Sequence, residues 1–137
     1  MSREKKKPDP LFGEVIYAYT RAQALADGVL VDVSEMAKEA GFKHPAAVTN
    51  ALWHDLNEIP KSFSYESFGG RLWDVLWMAR LAAGRPDNAN KSRITYQLIL
   101  HTRDLDPAYE QLIELLMDCG PGDDHEPVIT IGYREDF

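Results

Sequence analysis

The chain has 137 residues, 45% of them hydrophobic and 27% charged, a globular composition that excludes a disordered chain. Its net charge of −7 is lopsided, with residues 104–137 carrying −9 and residues 1–103 carrying +2. That balance disfavours nucleic acid as the main partner, because phosphate contacts need clustered Lys or Arg, and the single Cys119 excludes an internal disulfide framework.

Residues 1–10 hold Arg3, Lys5, Lys6 and Lys7 before two prolines, and are expected to form a flexible basic tail ahead of a single domain over residues 11–137. No long apolar run follows that tail, so no signal peptide is expected. The longest one, Val75 to Ala79, is far below the roughly 20 residues of a membrane span. A cytoplasmic protein without membrane attachment is the resulting expectation.

Residues 14–19 are strand-like in composition, with Val15, Ile16, Tyr17 and Tyr19. They run into a helix-favouring stretch from Arg21, with Thr20 as its N-cap and Gly28 as its stop. Residues 29–33 read as a short extended segment buried on both faces. Ser34 is expected to cap the next helix, with Met36, Ala37 and Ala40 turned inward and Gly41 ending it. His44 and Pro45 then open another helix, in which Ala47, Val48, Ala51, Leu52 and Leu56 recur at helical spacing up to Asn57.

Ala37 and Gly41 stand four apart, as in a helix-turn-helix, where a small residue permits close contact and glycine makes the turn. On that alternative reading Lys43, His44, Thr49 and Asn50 face DNA. Pro45 sits early in the recognition helix, its basic content is low, and no wing follows. An αα-hairpin without DNA is the preferred expectation.

Residues 59–68 form a loop with the exposed-looking aromatics Phe63, Tyr65 and Phe68. Residues 71–83 then make the central apolar helix. At 100° per residue Arg71, Asp74 and Arg85 share one narrow polar stripe, while apolar side chains cover most of the circumference. Trp73 and Trp77 lie four apart on one face and are assigned to the core, with part of that wide arc as an interface the alternative. Residues 94–102 alternate as a strand, residues 110–118 fit strand or helix with strand preferred, and residues 128–131 form a final strand across a turn at residues 120–126. The fold class is α+β: three to four short helices around a central apolar helix, packed on a small antiparallel sheet formed mainly by the C-terminal third.

Chemistry-bearing motifs are sparse. His44, His54, His101 and His125 have no ligand spacing, and Cys119 beside an apolar run reads as a small buried hydrophobe. Gly120-Pro121-Gly122 lacks the length and lysine of a phosphate loop. No cofactor, metal site or catalytic residue is expected.

Several strings together resemble a known family: Asp27-Gly-Val-Leu-Val-Asp-Val33, Ala40-Gly-Phe42 with Ala47-Val-Thr49, Gly70-Arg-Leu-Trp-Asp-Val-Leu-Trp-Met-Ala79, Gly120-Pro-Gly-Asp-Asp124 and Glu126-Pro-Val-Ile-Thr-Ile131. They are similar to small uncharacterised proteins carried by phages, plasmids and other mobile elements. That resemblance implies an accessory or host-interaction role, including inhibition of a host defence complex in the manner of an anti-CRISPR or anti-restriction protein. It carries over no functional residues.

The leading expectation is therefore a non-enzymatic module that binds a host or mobile-element protein with a basic surface. Asp104, Asp106, Glu110, Glu114, Asp123 and Asp124 are its partner-binding residues. The alternatives are a helix-turn-helix-like DNA-binding regulator and a structural homo-oligomer; the wide apolar arc leaves room for a homodimer.

Overall fold

A computed structural model describes residues 19–137 of the chain. The expected tail and most of the strand-like stretch at residues 14–19 lie outside the described residues. The elements run α1 (Arg21–Ala26), β1 (Leu30–Asp32), α2 (Ser34–Glu39), β2 (Ala46–Thr49), α3 (Asn50–Asn57), α4 (Phe68–Ala83), β3 (Arg93–Ile99), β4 (Leu112–Pro121) and β5 (Pro127–Gly132). The fold is α+β. Among the described residues five strands are ordered β1-β2-β5-β4-β3, antiparallel except for the parallel β2–β5 pair.

Local chemistry explains most element boundaries. The Thr20 side chain accepts from the Gln23 amide, and Gln23 bonds back to Thr20 in a capping box that opens α1. Gly28 (φ 77°) and Gly41 (φ 106°) take the left-handed backbone that stops α1 and α2. Ser34 is not the cap of α2. Its hydroxyl lies within the first turn, donating to Asp32 and accepting from the Ala46 amide, so it links β1 to β2 instead.

Residues 44–57 are not one helix. The first half holds β2, an interior strand of the sheet, and the helix begins only at Asn50. All four β2 residues are buried, with β1 on one side and β5 on the other satisfying the backbone. Ala46 and Ala47 favour helix intrinsically, but that preference is worth only tenths of a kcal/mol, roughly, and two strand ladders outweigh it. The αα-hairpin therefore does not exist, and neither does the recognition helix of the DNA-binding reading.

Thr49 ends β2 and caps α3. Its hydroxyl accepts from the Leu52 amide and donates to Asp136 at 2.7 Å, and it is buried. Replacing Thr49 with Val keeps the shape but removes both bonds, so a loss of about 1–2 kcal/mol in urea unfolding is expected. Thr49→Ser should retain most of the stability. Equal unfolding midpoints for wild type and Thr49→Val would contradict this cap.

The core lies between the sheet and the helices. Leu72, Val75, Leu76 and Ala79 of α4 meet Ile94, Tyr96 and Leu98 of β3, Leu115 and Met117 of β4, and Ile129 and Ile131 of β5. The period-two burial of β3 and the strand assignment of residues 110–118 hold as expected. The Tyr96 hydroxyl donates to the Val75 carbonyl at 2.9 Å, tying strand to helix, and burial pushes its phenol pKa up. β1 departs from expectation: it is an edge strand of which Asp32 is exposed, not a segment buried on both faces.

Candidate functional site: the open edge of β3

Among the described residues β3 is an edge strand, paired with β4 on one side only. A strand edge carries unpaired backbone amides and carbonyls, the usual template for another chain. Apolar side chains flank it. Trp73, Trp77 and Leu81 repeat every four residues along α4, and the two indoles stack with centroids 5.9 Å apart. Trp77 is 42% exposed and Leu81 is exposed beside it. Trp73 is half-buried against the core as expected, but Trp77 lies on the surface, because Leu72, Val75, Leu76, Ala79 and Ala82 already fill the sheet-facing side of α4. At the end of the edge the cross-strand neighbours Ile99 and Leu112 are both exposed.

Two cavities meet this edge. One of about 490 Å³ lies among Met78, Leu81, Gln97, Leu112 and Glu114. The other, about 380 Å³, is bounded by Tyr65, Glu66, Trp73, Asp74, Ile99 and His101.

The inner wall of the second cavity is an ion-pair cluster. Arg71 was expected on the solvent stripe but is only 3% exposed. Its guanidinium donates to the Asp55, Leu56 and His101 carbonyls and to the Glu66 carboxylate, at 2.8–3.1 Å. Asp55 and Leu56 belong to the last turn of α3, whose carbonyls have no partner within the helix. The other Glu66 oxygen accepts from the His101 Nδ1–H at 2.7 Å, and the imidazole stacks on Phe63 with rings 3.7 Å apart. Phe63 is fully buried by this stack, not exposed as its loop position had suggested. Tyr65 is exposed as expected, and Phe68 starts α4, packed edge-on against Trp53.

Asp74 differs from these satisfied groups. It lines the cavity mouth without a hydrogen bond or ion pair among the described residues. Partial desolvation, reinforced by the charge on Glu66, holds its carboxyl above its ordinary pKa. A cation placed between Asp74, Trp73 and Tyr65 would relieve that repulsion and meet aromatic faces as well.

The acidic residues singled out in the sequence do not gather in one place. Hydrogen bonding from the Ser62 side chain and from its amide holds the Asp104 carboxyl below its ordinary pKa, and Asp106 accepts from the Ala108 amide. With exposed Glu110 they occupy the β3–β4 connection, and Glu114 on β4 pairs with Arg134. Asp123 accepts from the Arg21 and Ala22 amides at the start of α1, which likewise lowers its pKa. It and Asp124 sit in the β4–β5 turn, a ten-residue strand or about 30 Å from the first group. Asp104, Asp106, Glu110 and Glu114 thus stand at the Ile99/Leu112 end of the β3 edge, and Asp123 and Asp124 at the opposite end of β4.

Of the DNA-reading residues, Thr49 is buried in the sheet, Asn50 is exposed at the start of α3, and Lys43 and His44 lie in the loop before β2. Cys119 is exposed on β4 rather than buried. Among the described residues no group of three or more His, Cys, Asp or Glu converges as a metal site, and no helix is long and apolar enough to cross a membrane. Sequence reasoning missed Glu66 and Asp74 as site residues. Glu66 lies in the loop ahead of α4, and nothing in the local sequence marks it until Arg71 is known to turn inward.

A model for the family described as "Family of unknown function (DUF6573)" matches residues 11–137. No curated protein and no solved structure matches the chain.

Proposed function

We propose, on the premise that this chain belongs to the DUF6573 family, that it is a protein-binding module whose docking face is the open β3 edge with the Trp73–Trp77–Leu81 stripe. The observation carrying this reading is a strand edge that has no partner among the described residues, flanked by exposed indole and leucine, with the Asp74 carboxylate, unpartnered among those residues, at one end. Such a face fits an extended segment that adds to the sheet, places apolar side chains on the stripe, and sets a Lys or Arg against Asp74. The partner is accordingly basic. The wider role, an accessory protein of a mobile element that inhibits a host defence complex, rests on the resemblance. Nucleic-acid-handling complexes expose basic surfaces of the required charge.

The test is a peptide selection on the full chain. Enrichment of segments alternating apolar residues with Lys or Arg, whose binding weakens with salt, is expected. Selected peptides that bind the Trp77→Ala and Asp74→Asn variants as tightly as wild type would end this reading. If instead the chain self-associates and Trp77→Ala makes it monomeric by light scattering, the face joins two copies of this chain.

Asp74→Asn has a second expected signature. Because the folded state raises the Asp74 pKa, ionising it costs stability, and that cost grows as pH rises from about 4 through the raised value. At neutral pH the variant should therefore melt slightly higher than wild type, and below pH 4, roughly, the two should converge. Peptide binding should move the opposite way, weaker in the variant and weaker in wild type as Asp74 protonates. A variant that loses stability at pH 7 would show that Asp74 supports the fold instead.

A further inference from the structure

A third cavity has the opposite electrostatics. It has a volume of about 330 Å³, at the low end for small-molecule sites. It lies where β3, β4 and β5 meet the C-terminal half of α4, with Ile94, Met117 and Ile129 as an apolar floor. These three side chains belong to the core, so the floor is rigid. Around the mouth stand Lys43, Arg80 and Lys91, with the His44 imidazole beside them and no acidic residue in the lining. The chain is acidic overall, which makes this grouping of cations a departure from its average.

The ion pairs among the described residues use Arg71, Arg93, His101 and Arg134, and none involves Lys43, Arg80 or Lys91. Among the described residues the Arg80 side chain makes one long bond, 3.4 Å, to the Gly41 carbonyl. Three cations around one apolar well repel one another and gain from a shared anion. Neither an apolar ligand nor a free inorganic anion would satisfy both parts of the lining.

We infer that this cavity binds a small organic anion, its apolar body on the Ile94–Met117–Ile129 floor and a carboxylate or phosphate head between Lys43, Arg80 and Lys91. The site shares no lining residue with the two cavities at the β3 edge.

Cys119 lines the same cavity and is exposed, so it reports on occupancy. In the full chain its thiolate attacks a sulfur of dithiobis(nitrobenzoate), the S–S bond breaks, and the coloured nitrothiobenzoate leaves with the electron pair. That reagent is itself an aromatic dianion, whereas dithiodipyridine is neutral. With wild type, octanoate or octyl phosphate is expected to slow the anionic reagent saturably, and octanol and inorganic phosphate are not. The better of octanoate and octyl phosphate identifies the head group. In the Lys43→Gln/Lys91→Gln variant the rate with the anionic reagent should fall roughly tenfold while the rate with dithiodipyridine is unchanged. Equal rates in variant and wild type, protection by octanol matching octanoate, or stronger protection by an acidic peptide would overturn the inference. Should that variant not fold, salt decides on the wild type. Sodium chloride slowing only the anionic reagent supports the site, and an equal effect on both reagents overturns it.

Discussion

Replacing Arg71 with Met should destabilise the protein by about 3–5 kcal/mol, a large part of the total stability of a typical domain. The residue is 3% exposed, and one guanidinium serves α3, α4, the chain after β3 and Glu66 together. Removing it strips the last turn of α3 of two acceptor contacts and leaves the Glu66 carboxylate, itself largely buried, with only His101. Desolvation of that stranded charge, more than the loss of attraction, sets the size of the effect. Two further variants separate these contributions. Arg71→Lys keeps the charge but lacks the planar fork that reaches four acceptors, so it should also lose stability. Arg71→Met combined with Glu66→Gln should recover part of the loss, since the uncompensated charge is gone. Urea unfolding followed by circular dichroism measures all three, and a loss below about 1 kcal/mol for Arg71→Met would show that the cluster is dispensable.

Trp77→Ala should do the reverse, sparing the fold and abolishing binding. The indole is 42% exposed and its main described contact is the stack on Trp73, so its removal leaves no cavity in the core. Central aromatic residues of an interface commonly contribute about 2 kcal/mol or more, which predicts at least a 30-fold, roughly, loss of affinity for peptides selected on the wild-type chain. Calorimetric titration gives the affinity and a thermal melt gives the stability. A fall in melting temperature without a change in affinity would move Trp77 from the docking face to the fold. Leu76, one residue earlier and fully buried, is the control whose truncation should cost stability.

Much of the architecture was legible in the sequence because it depends on short-range chemistry. Thr20 capping α1, the glycine stops at Gly28 and Gly41, the alternation of residues 94–100 and the turn at Gly122 each follow from a few neighbouring residues. The apolar helix was visible for the same reason, as was the α+β class. Two elements could be decided only in three dimensions. Residues 46–49 have a helix-compatible pattern, and they became a strand because β1 and β5 supply a ladder on each side, β5 from more than eighty residues away. Residues 71–77 have apolar side chains around almost the whole helix, so periodicity alone does not say which are covered. The sheet covers Leu72, Val75, Leu76 and Ala79 and leaves Trp77 outside. The α3 carbonyls and Glu66 draw Arg71 inward, though its charge and spacing had placed it in water. Charge was equally deceptive when counted along the chain. The six acids singled out after residue 103 are divided between the two ends of β4, while Lys43, Arg80 and Lys91, scattered over almost fifty residues, come together at one cavity. Sequence by itself determined the composition, the caps, the turns and the fold class, all set by local energies. Tertiary structure alone decided which face of each element stays open, because burial depends on partners that lie far apart in the chain.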